Sequence, residues 1–289
     1  MTPTQVLRSR YPRATANLRR YGGAATGGLE EAGKLGWFAL TAARDIPLAL
    51  TRYRREVLRL VAEVGMGTGA LAVVGGTAVI VGVTVASTGA LVALQGFSAL
   101  SHLGIQALMG FVAALINVRL TIPVVAGFAL AATVGAGATA ELGAMRISEE
   151  IDALEVMGIN SIAYLVSTRA IAVQVVIIPL YALALIASFV APQLVTTVLY
   201  GQASGSYAHY FDTFLRPNDV FWSFAEMIVV AGAVMLVHCY YGYNASGGPV
   251  GVGEAVGRSM RFSLVMINVI LVLFEMTLYG TDPNFNFTV

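Results

Sequence analysis

Charged side chains are scarce in this sequence, because only 11% of its 289 residues are Asp, Glu, Lys or Arg. Soluble domains usually carry about 25%. Hydrophobic residues make up 57% of the chain, and the mean hydropathy is +0.76. Backbone groups buried in lipid must be satisfied within the protein, so such a chain spans a membrane either as helices or as a closed barrel. The apolar runs are continuous and do not alternate, which predicts an all-α polytopic membrane protein.

Groups that carry enzymatic chemistry are equally sparse. The single cysteine, Cys239, excludes a disulfide framework within the chain, and the three histidines include no pair at ligand spacing. We therefore predict no metal site, no cofactor and no catalytic residue. The phosphate-binding pattern GxxxxGKS/T does not occur, so the chain itself carries no P-loop for ATP hydrolysis. Two functions remain open for a membrane chain of this composition, an intramembrane lipid-modifying enzyme and a secondary transporter. The first needs convergent His, Asp or Cys, and the second needs more buried carboxylates than this chain has.

The first 64 residues differ from the rest, because they hold eleven of the seventeen Lys and Arg residues. Residues 1–21 carry five arginines and no acid, which is typical of a basic arm near anionic lipid headgroups and makes nucleic-acid binding a weak alternative. Residues 34–64 mix apolar and charged blocks, with Pro47 as an interruption. This mixture predicts one or two amphipathic helices that lie in the membrane interface, with Trp37 at headgroup level. We therefore separate residues 1–64 from residues 65–289.

Five apolar stretches in residues 65–289 are long enough to cross a bilayer, which takes about 20 residues per helix. We place these spans near Gly67–Leu94, Gly104–Ala140, Ala170–Leu199, Val220–Tyr243 and Phe262–Tyr279. Polar residues mark the first turn, namely Gln95, Ser98, Ser101 and His102. Lys and Arg are concentrated before the first span and in the loops after the second and fourth. The positive-inside rule then predicts a cytoplasmic N-terminus and an outer C-terminus.

An island of charge, from Ala138 to Arg169, interrupts the apolar sequence. Four of its acids lie within seven positions: Glu149, Glu150, Asp152 and Glu155. The pattern predicts a short helix that Ser148 caps and Gly158 ends. One apolar face is expected at helical spacing, formed by Ile147, Ile151 and Leu154. A solvated loop helix without a partner is the alternative to a docking element.

The island sequence AELGAMRISEEIDALEVMGINSIAYLVSTR closely resembles the signature of the MlaE/YrbE permease family, the membrane subunits of Mce-type ABC lipid transporters. Two further blocks extend the resemblance, VALQ at Val92–Gln95 and CYYGYNASGGPVGVGEAVGR at Cys239–Arg258, so that it covers roughly Glu63 to Tyr279. The resemblance implies that residues 65–289 form a permease domain and that the island helix couples to the ATPase. The implied coupling residues are Glu149, Glu150, Asp152, Leu154, Glu155 and Met157.

The resemblance also implies a lipid cavity between two permease subunits. Its implied lining is Val92, Leu100, Leu103, Arg119 and Leu120. Arg119 stands at the arginine of the family's RELGP motif, whereas Leu120 and Thr133 replace residues that the family tends to have charged. An arginine at bilayer depth costs about 2.5–3.5 kcal/mol, so a role is expected for it, although it could also snorkel to the surface. The motif shows no acid near Arg119, so we expect it to face a partner or a lipid carboxylate.

A larger assembly follows from the same resemblance, which is strongest to the paired permeases of actinobacterial Mce systems. It implies a heterodimer with a homologous second permease, ABC ATPase subunits on the cytoplasmic side and a hexamer of Mce proteins on the outer side of the bacterial plasma (inner) membrane. The implied cargo is a lipid or fatty acid, and the implied direction is import. Neither cargo nor direction follows from the residues themselves, and Glu226 and Glu275 inside the last two spans have no assigned role.

Overall fold

The computed structural model describes residues 30–66 and 76–280. Nearly all of these residues are helical and none of them forms a strand, so the all-α prediction is confirmed. The chain divides into two compact units, with the boundary between Arg44 and Asp45. The functional division at residue 64 stays a prediction. The basic arm, the start of the predicted first span and the C-terminal tail lie outside the described residues.

The first unit contributes helix α1, residues 30–44, on which Trp37 is 69% exposed. The second unit begins with two short helices, α2 (Ile46–Arg52) and α3 (Arg54–Met66). Pro47 lies in the first turn of α2, where its missing N–H costs no hydrogen bond, so the interruption falls where the sequence predicts it. Helix α3 is amphipathic, because Val57 and Leu60 are buried while arginines cover its other face.

Five helices are long and apolar enough to cross a membrane, as the sequence predicts. Two shorter helices lie between them. In chain order, these elements are α4 (Gly76–His102), α5 (Gln106–Ile147), α6 (Glu150–Val156), α7 (Ile162–Leu199), α8 (Ser204–Phe214), α9 (Pro217–Tyr243) and α10 (Gly248–Tyr279). The chain is therefore a multi-pass membrane protein in which α4, α5, α7, α9 and α10 are the spans.

Several predicted helix ends are wrong, because hydropathy finds the apolar part of a helix and not its whole length. Helix α4 continues to His102, so the polar residues assigned to the first turn are helical. The turn follows them at Gly104, whose φ of +73° suits a residue without a side chain. Helix α10 begins at Gly248 and not at Phe262, because its first turns are polar but still helical.

Helix α5 is continuous through Pro123, although proline often kinks or breaks a helix. A π-helical stretch, Ala113–Thr121, comes immediately before the proline-containing turn, and a second one covers Ala131–Gly135. Proline has no N–H and its ring crowds the carbonyl one turn earlier, so an extra residue in that turn relieves the crowding. The Thr121 hydroxyl donates to the Ile116 carbonyl, 3.3 Å away, and satisfies an acceptor in this widened turn.

Helix α7 is central to the membrane unit, since it packs against α3, α4 and α9, while α9 also packs against α5 and α10. Small residues allow the close approach of α5 and α9, as is usual between membrane helices. A Cβ atom on Gly135 would lie 2.6 Å from Cδ2 of His238, and one on Gly242 would lie 2.9 Å from the Thr139 carbonyl oxygen. His238 is fully buried at this contact, with Nδ1 2.8 Å from the Thr139 hydroxyl.

Candidate functional sites

The island helix α6 starts differently from the prediction. Ser148 ends the preceding helix α5, and its hydroxyl donates to the Ala144 carbonyl at 2.9 Å. Glu149 takes the N-cap position instead, with a left-handed backbone (φ +60°) and no capping hydrogen bond from its side chain. The predicted Ser148 cap is therefore wrong. A serine hydroxyl can bond back to the helix before it as readily as to the helix after it, so spacing alone does not decide.

The end of α6 agrees with the sequence. Gly158 has φ +75°, and its N–H donates to the Glu155 carbonyl at 2.9 Å. The next N–H, of Ile159, donates to the Leu154 carbonyl at 3.0 Å. These two bonds form a Schellman motif, which satisfies carbonyls that a helix end would otherwise leave open. The prediction that Gly158 ends the helix is confirmed.

The apolar face of α6 is shorter than predicted. Ile151 is fully buried and Leu154 is half-buried, but Ile147 is 37% exposed. The largest exposed apolar surface lies at the far end of the helix, where Val156 is 88% and Met157 is 66% exposed. Two adjacent exposed apolar side chains at the tip of a polar connection provide a surface that a soluble partner can cover.

The four clustered carboxylates have two different surroundings. Asp152 accepts from Nη1 of Arg146 at 2.6 Å, and Oε1 of Glu155 accepts from the Ser161 hydroxyl at 2.7 Å. The Tyr243 hydroxyl also donates to Oε1 of Glu155, at 3.1 Å. The hydrogen bond from Ser161, and after it the one from Tyr243, lower the pKa of Glu155 below its ordinary value. All four acidic residues are exposed, but Oε1 of Glu150 accepts from the neighbouring Ser148 hydroxyl at 3.0 Å and not from another span.

The island is tied to several neighbouring elements. Besides its bond to Asp152, the Arg146 guanidinium lies 5.9 Å from the centroid of the Tyr243 ring at the end of α9. Nδ2 of Asn160 donates to Asp45, at the start of α2, at 3.0 Å. Through these contacts, any displacement of α6 acts on the ends of α5, α7 and α9 together.

A second ion pair of the island joins its two ends. Nη2 of Arg169 lies 2.7 Å from Oε1 of Glu141, and Nη1 of the same guanidinium donates to the Leu165 carbonyl at 2.8 Å. The Arg169 side chain is 4% exposed, whereas that of Glu141 is 47% exposed. The pair therefore connects α5 to α7 through one buried side chain, Arg169, and one partly exposed side chain, Glu141.

Arg119 lies in a buried cluster near the opposite ends of the spans. Its Nη2 is 2.9 Å from Oδ2 of Asp219, and the two side chains are only 9% and 8% exposed. The centroid of the Tyr279 ring lies 3.8 Å from Cζ of Arg119, and the Tyr279 hydroxyl donates to Oδ1 of Asp219 at 3.0 Å. The expectation that Arg119 has no acid of its own chain nearby is wrong. It also does not snorkel, because protein surrounds it.

Sequence reasoning missed Asp219 because that residue is 100 positions from Arg119 and close to the end of an apolar span. The available clue was Pro217 followed by an acid, which is typical of the first turn of a helix. Arg119 and Asp219 line a small cavity together with Ser223, Glu226 and Glu275. Glu226 is 3% exposed, and its Oε1 has no hydrogen-bond partner among the residues that the structure describes.

The other predicted cavity residues are not assembled around Arg119 within one chain. Val92 is half-buried, and Leu100 packs against a core cluster that includes Met109 and Tyr207. Leu103 and Leu120 are 71% and 52% exposed. A cavity between two subunits cannot be seen in one chain, so its lining stays a prediction. In the described ranges, His, Cys, Asp and Glu side chains form no group of three that could hold a metal ion.

Comparison with known proteins identifies the family. The family model described as permease MlaE matches residues 66–277, which include four spans, the island helix and all but the last two residues of α10. The chain belongs to the MlaE permease family. It is 30% identical over 188 residues to a probable ABC transporter permease protein of Rickettsia bellii, which covers 65% of this chain and 73% of the relative. A probable ABC transporter permease protein of Rickettsia prowazekii is 31% identical over 190 residues, with the same coverage.

A plant relative is also similar. The chloroplastic protein trigalactosyldiacylglycerol 1 of Arabidopsis thaliana is 29% identical over 167 residues, which is 58% of this chain and 48% of the relative. Membership in the family identifies this MlaE-type chain as the permease, or membrane subunit, of an ABC transporter and not as a catalytic enzyme. The lipid-modifying enzyme is thereby set aside.

Proposed function

We propose that this permease moves a lipid or fatty acid across a bacterial plasma membrane as part of an Mce-type ABC transporter, in the direction of import. One observation carries the proposal: α6 presents an exposed apolar tip, while its carboxylates Asp152 and Glu155 are bonded to the ends of α5 and α9. A surface of this kind can receive motion from a soluble partner. The glycolipid after which the Arabidopsis relative is named supports a lipid as the cargo.

The ATPase subunit docks on α6 in this proposal. Val156 and Met157 enter an apolar groove of the ATPase, and Glu149 and Glu150 meet basic residues at its rim. Asp152 and Glu155 hold the helix against Arg146, Ser161 and Tyr243, so their role is to transmit motion and not to bind. This divides five of the six predicted coupling residues into a docking set (Glu149, Glu150 and Met157) and a positioning set (Asp152 and Glu155), and it adds Val156 to the docking set.

Substitution of the tip tests the coupling. Val156→Asp should reduce co-purification of the cognate ATPase at least about tenfold, because it places a charge where an apolar contact must be desolvated. Val250→Asp is the matched control, since Val250 is a similarly exposed valine at the start of α10. Substitution of both Glu149 and Glu150 by Lys should also reduce co-purification of the ATPase. Unchanged ATPase recovery with Val156→Asp, in a permease that elutes as the wild type does, contradicts the proposal.

A second permease completes the transport path in this proposal, as a homologous and non-identical partner. Arg119 gives no support to a heterodimer, because Asp219 of the same chain neutralises its charge. The support that is left is the family resemblance and the exposure of Leu103 and Leu120, which would face the shared lipid cavity. The Mce hexamer covers the opposite, outer side of the pair.

The orientation has a direct test. The concentration of Lys and Arg before the first span and around α6 supports a cytoplasmic N-terminus and an outer C-terminus. Cysteine at Ser204, an exposed position on α8, should then react with an impermeant thiol reagent in intact cells. Cysteine at Ser246, an exposed position between α9 and α10, should react only after permeabilisation, and the buried Cys239 gives no background. The reverse pattern refutes the orientation.

A further inference from the structure

A cavity of about 500 Å³ lies near the island ends of the spans, well apart from the Arg119 cluster. Helices α3, α4, α5 and α9 enclose it, and Arg169 of α7 stands at its polar end. This volume is in the range of small-molecule sites, which run from about 300 to 1,000 Å³. No element of the proposed coupling or transport path requires it.

Most of the cavity wall is apolar. Leu60 and Val64 come from the interfacial helix α3, Ile80 from α4, Val134 from α5 and Met235 from α9. None of the lining residues that the structure describes is aromatic. Because the wall joins an interfacial helix to membrane spans, the cavity lies where a lipid of the adjacent leaflet can place the upper part of an acyl chain.

The polar end of the cavity carries more carboxylates than cations. Glu63, Glu141 and Arg169 line it. Arg169 is buried and bonded to Glu141, and Oε2 of Glu63 lies 3.0 Å from Nη1 of Arg59, which also bonds Glu56. These two arginines face three carboxylates, a net charge of −1. The ion pairs of Glu63 and Glu141 each use one carboxylate oxygen, and both side chains are partly exposed, at 32% and 47%.

We propose that this cavity binds one membrane lipid whose headgroup is a primary ammonium, with the ammonium between Glu63 and Glu141 and a chain along the apolar wall. An ammonium offers three N–H donors to the carboxylate oxygens and places a positive charge between them. An anionic headgroup would meet two carboxylates without a free cation. A quaternary ammonium has no N–H to donate, and the described part of the lining offers no aromatic ring to bind it by cation–π contact.

Binding in this position would stabilise the packing of α3 against the spans. The lipid would touch α3 through Leu60 and Glu63 and α5 through Val134 and Glu141, so it would add contacts between an interfacial helix and the membrane core. The inference does not depend on ATPase docking or on transport, because it concerns binding to the isolated chain.

Native mass spectrometry of the full chain in mild detergent tests the site. Phosphatidylethanolamine, phosphatidylcholine and phosphatidylglycerol with identical acyl chains are added separately. We expect phosphatidylethanolamine to bind about tenfold more tightly than the other two, the worth of one charge-assisted hydrogen bond. Equal binding of all three lipids would overturn the proposal.

Two variants locate the bound lipid. A Cβ on Gly137 meets nothing within 4 Å, so Gly137→Leu fills the cavity without a clash and should remove the preference. Gly205→Leu, at an equally open glycine on α8, is the control and should bind as the wild type does. Glu63→Gln should reduce the preference for phosphatidylethanolamine about fivefold or more, even if Gly137→Leu lowers the yield. An unchanged preference in Glu63→Gln places the lipid elsewhere and refutes the site.

Discussion

The two ends of the membrane unit differ in the burial of their ion pairs. Near Arg119, one ion pair is almost completely buried and is covered by the Tyr279 ring. At the island end, many charges are present but most are exposed, as in the pair of Arg146 with Asp152, whose side chains are 37% and 57% exposed. The buried pair can hold spans together, because water cannot compete for it. The exposed charges contribute little stability and leave a surface that partners can reach.

The pair of Arg169 with Glu141 lies between these extremes, with one side chain buried and the other half exposed. The three pairs therefore form a graded series within one chain. Replacement of each carboxylate by its amide keeps the shape of the side chain and removes only the charge. If burial decides the strength of these pairs, the three substitutions should destabilise the protein in the order of burial.

The largest effect is expected for Asp219→Asn. This change leaves the Arg119 guanidinium buried without its counter-charge, and breaking a buried pair in this way costs about 3–5 kcal/mol. The measurement is the free energy of unfolding of the full chain reconstituted in lipid nanodiscs. Removing both charges together, as Arg119→Met with Asp219→Asn, should recover part of the loss. A change below about 1 kcal/mol, the range of exposed pairs, would show that the cluster is open to solvent.

An intermediate effect is expected for Glu141→Gln. The Arg169 guanidinium stays buried but keeps its bond to the Leu165 carbonyl, so about 1.5–3 kcal/mol should be lost, as for a hydrogen bond to a charged group. The same unfolding measurement checks this. Glu254→Gln, at an exposed glutamate of α10, is the control and should have little effect. A loss as large as that of Asp219→Asn would place Glu141 in a drier site than its exposure indicates.

The smallest effect is expected for Asp152→Asn. An exposed pair is worth about 0.2–1 kcal/mol, and salt screens it. Unfolding should therefore differ little from the wild type, and the difference should disappear in high salt. Arg146→Gln with Asp152→Asn completes a double-mutant cycle that isolates the pair. A coupling energy above about 1 kcal/mol that persists in high salt would mean that the island network is a rigid part of the fold.

The sequence was most informative where local patterns suffice. Continuous apolar runs predicted the five spans, and the charge island with Gly158 predicted a short helix and its end. The errors arose where one residue has two local options or where hydropathy changes inside a helix. Ser148 could bond forward or backward along the chain, and the structure shows that it bonds backward. His102 is polar but still belongs to α4.

Residues of the candidate sites show the same limit. Val156 and Met157 are recognisable as members of the island, but only their exposure distinguishes them from Ile151, which has the same apolar character and is fully buried. Tyr243 and Ser161 carry no pattern that predicts a hydrogen bond to Glu155. These two contacts depend on where α9 and α7 end relative to α6, which is a matter of helix packing.

Composition, hydropathy and helix-end residues by themselves determined that this protein is an all-α membrane protein with an acidic connecting helix, because each of these properties is local in the chain. The tertiary structure alone decided which charges are paired. Arg119 finds Asp219 across 100 positions, and Arg169 returns to Glu141 at the other end of the island. Such pairings depend on how the spans cross and on their register, and no local pattern of side chains encodes that geometry.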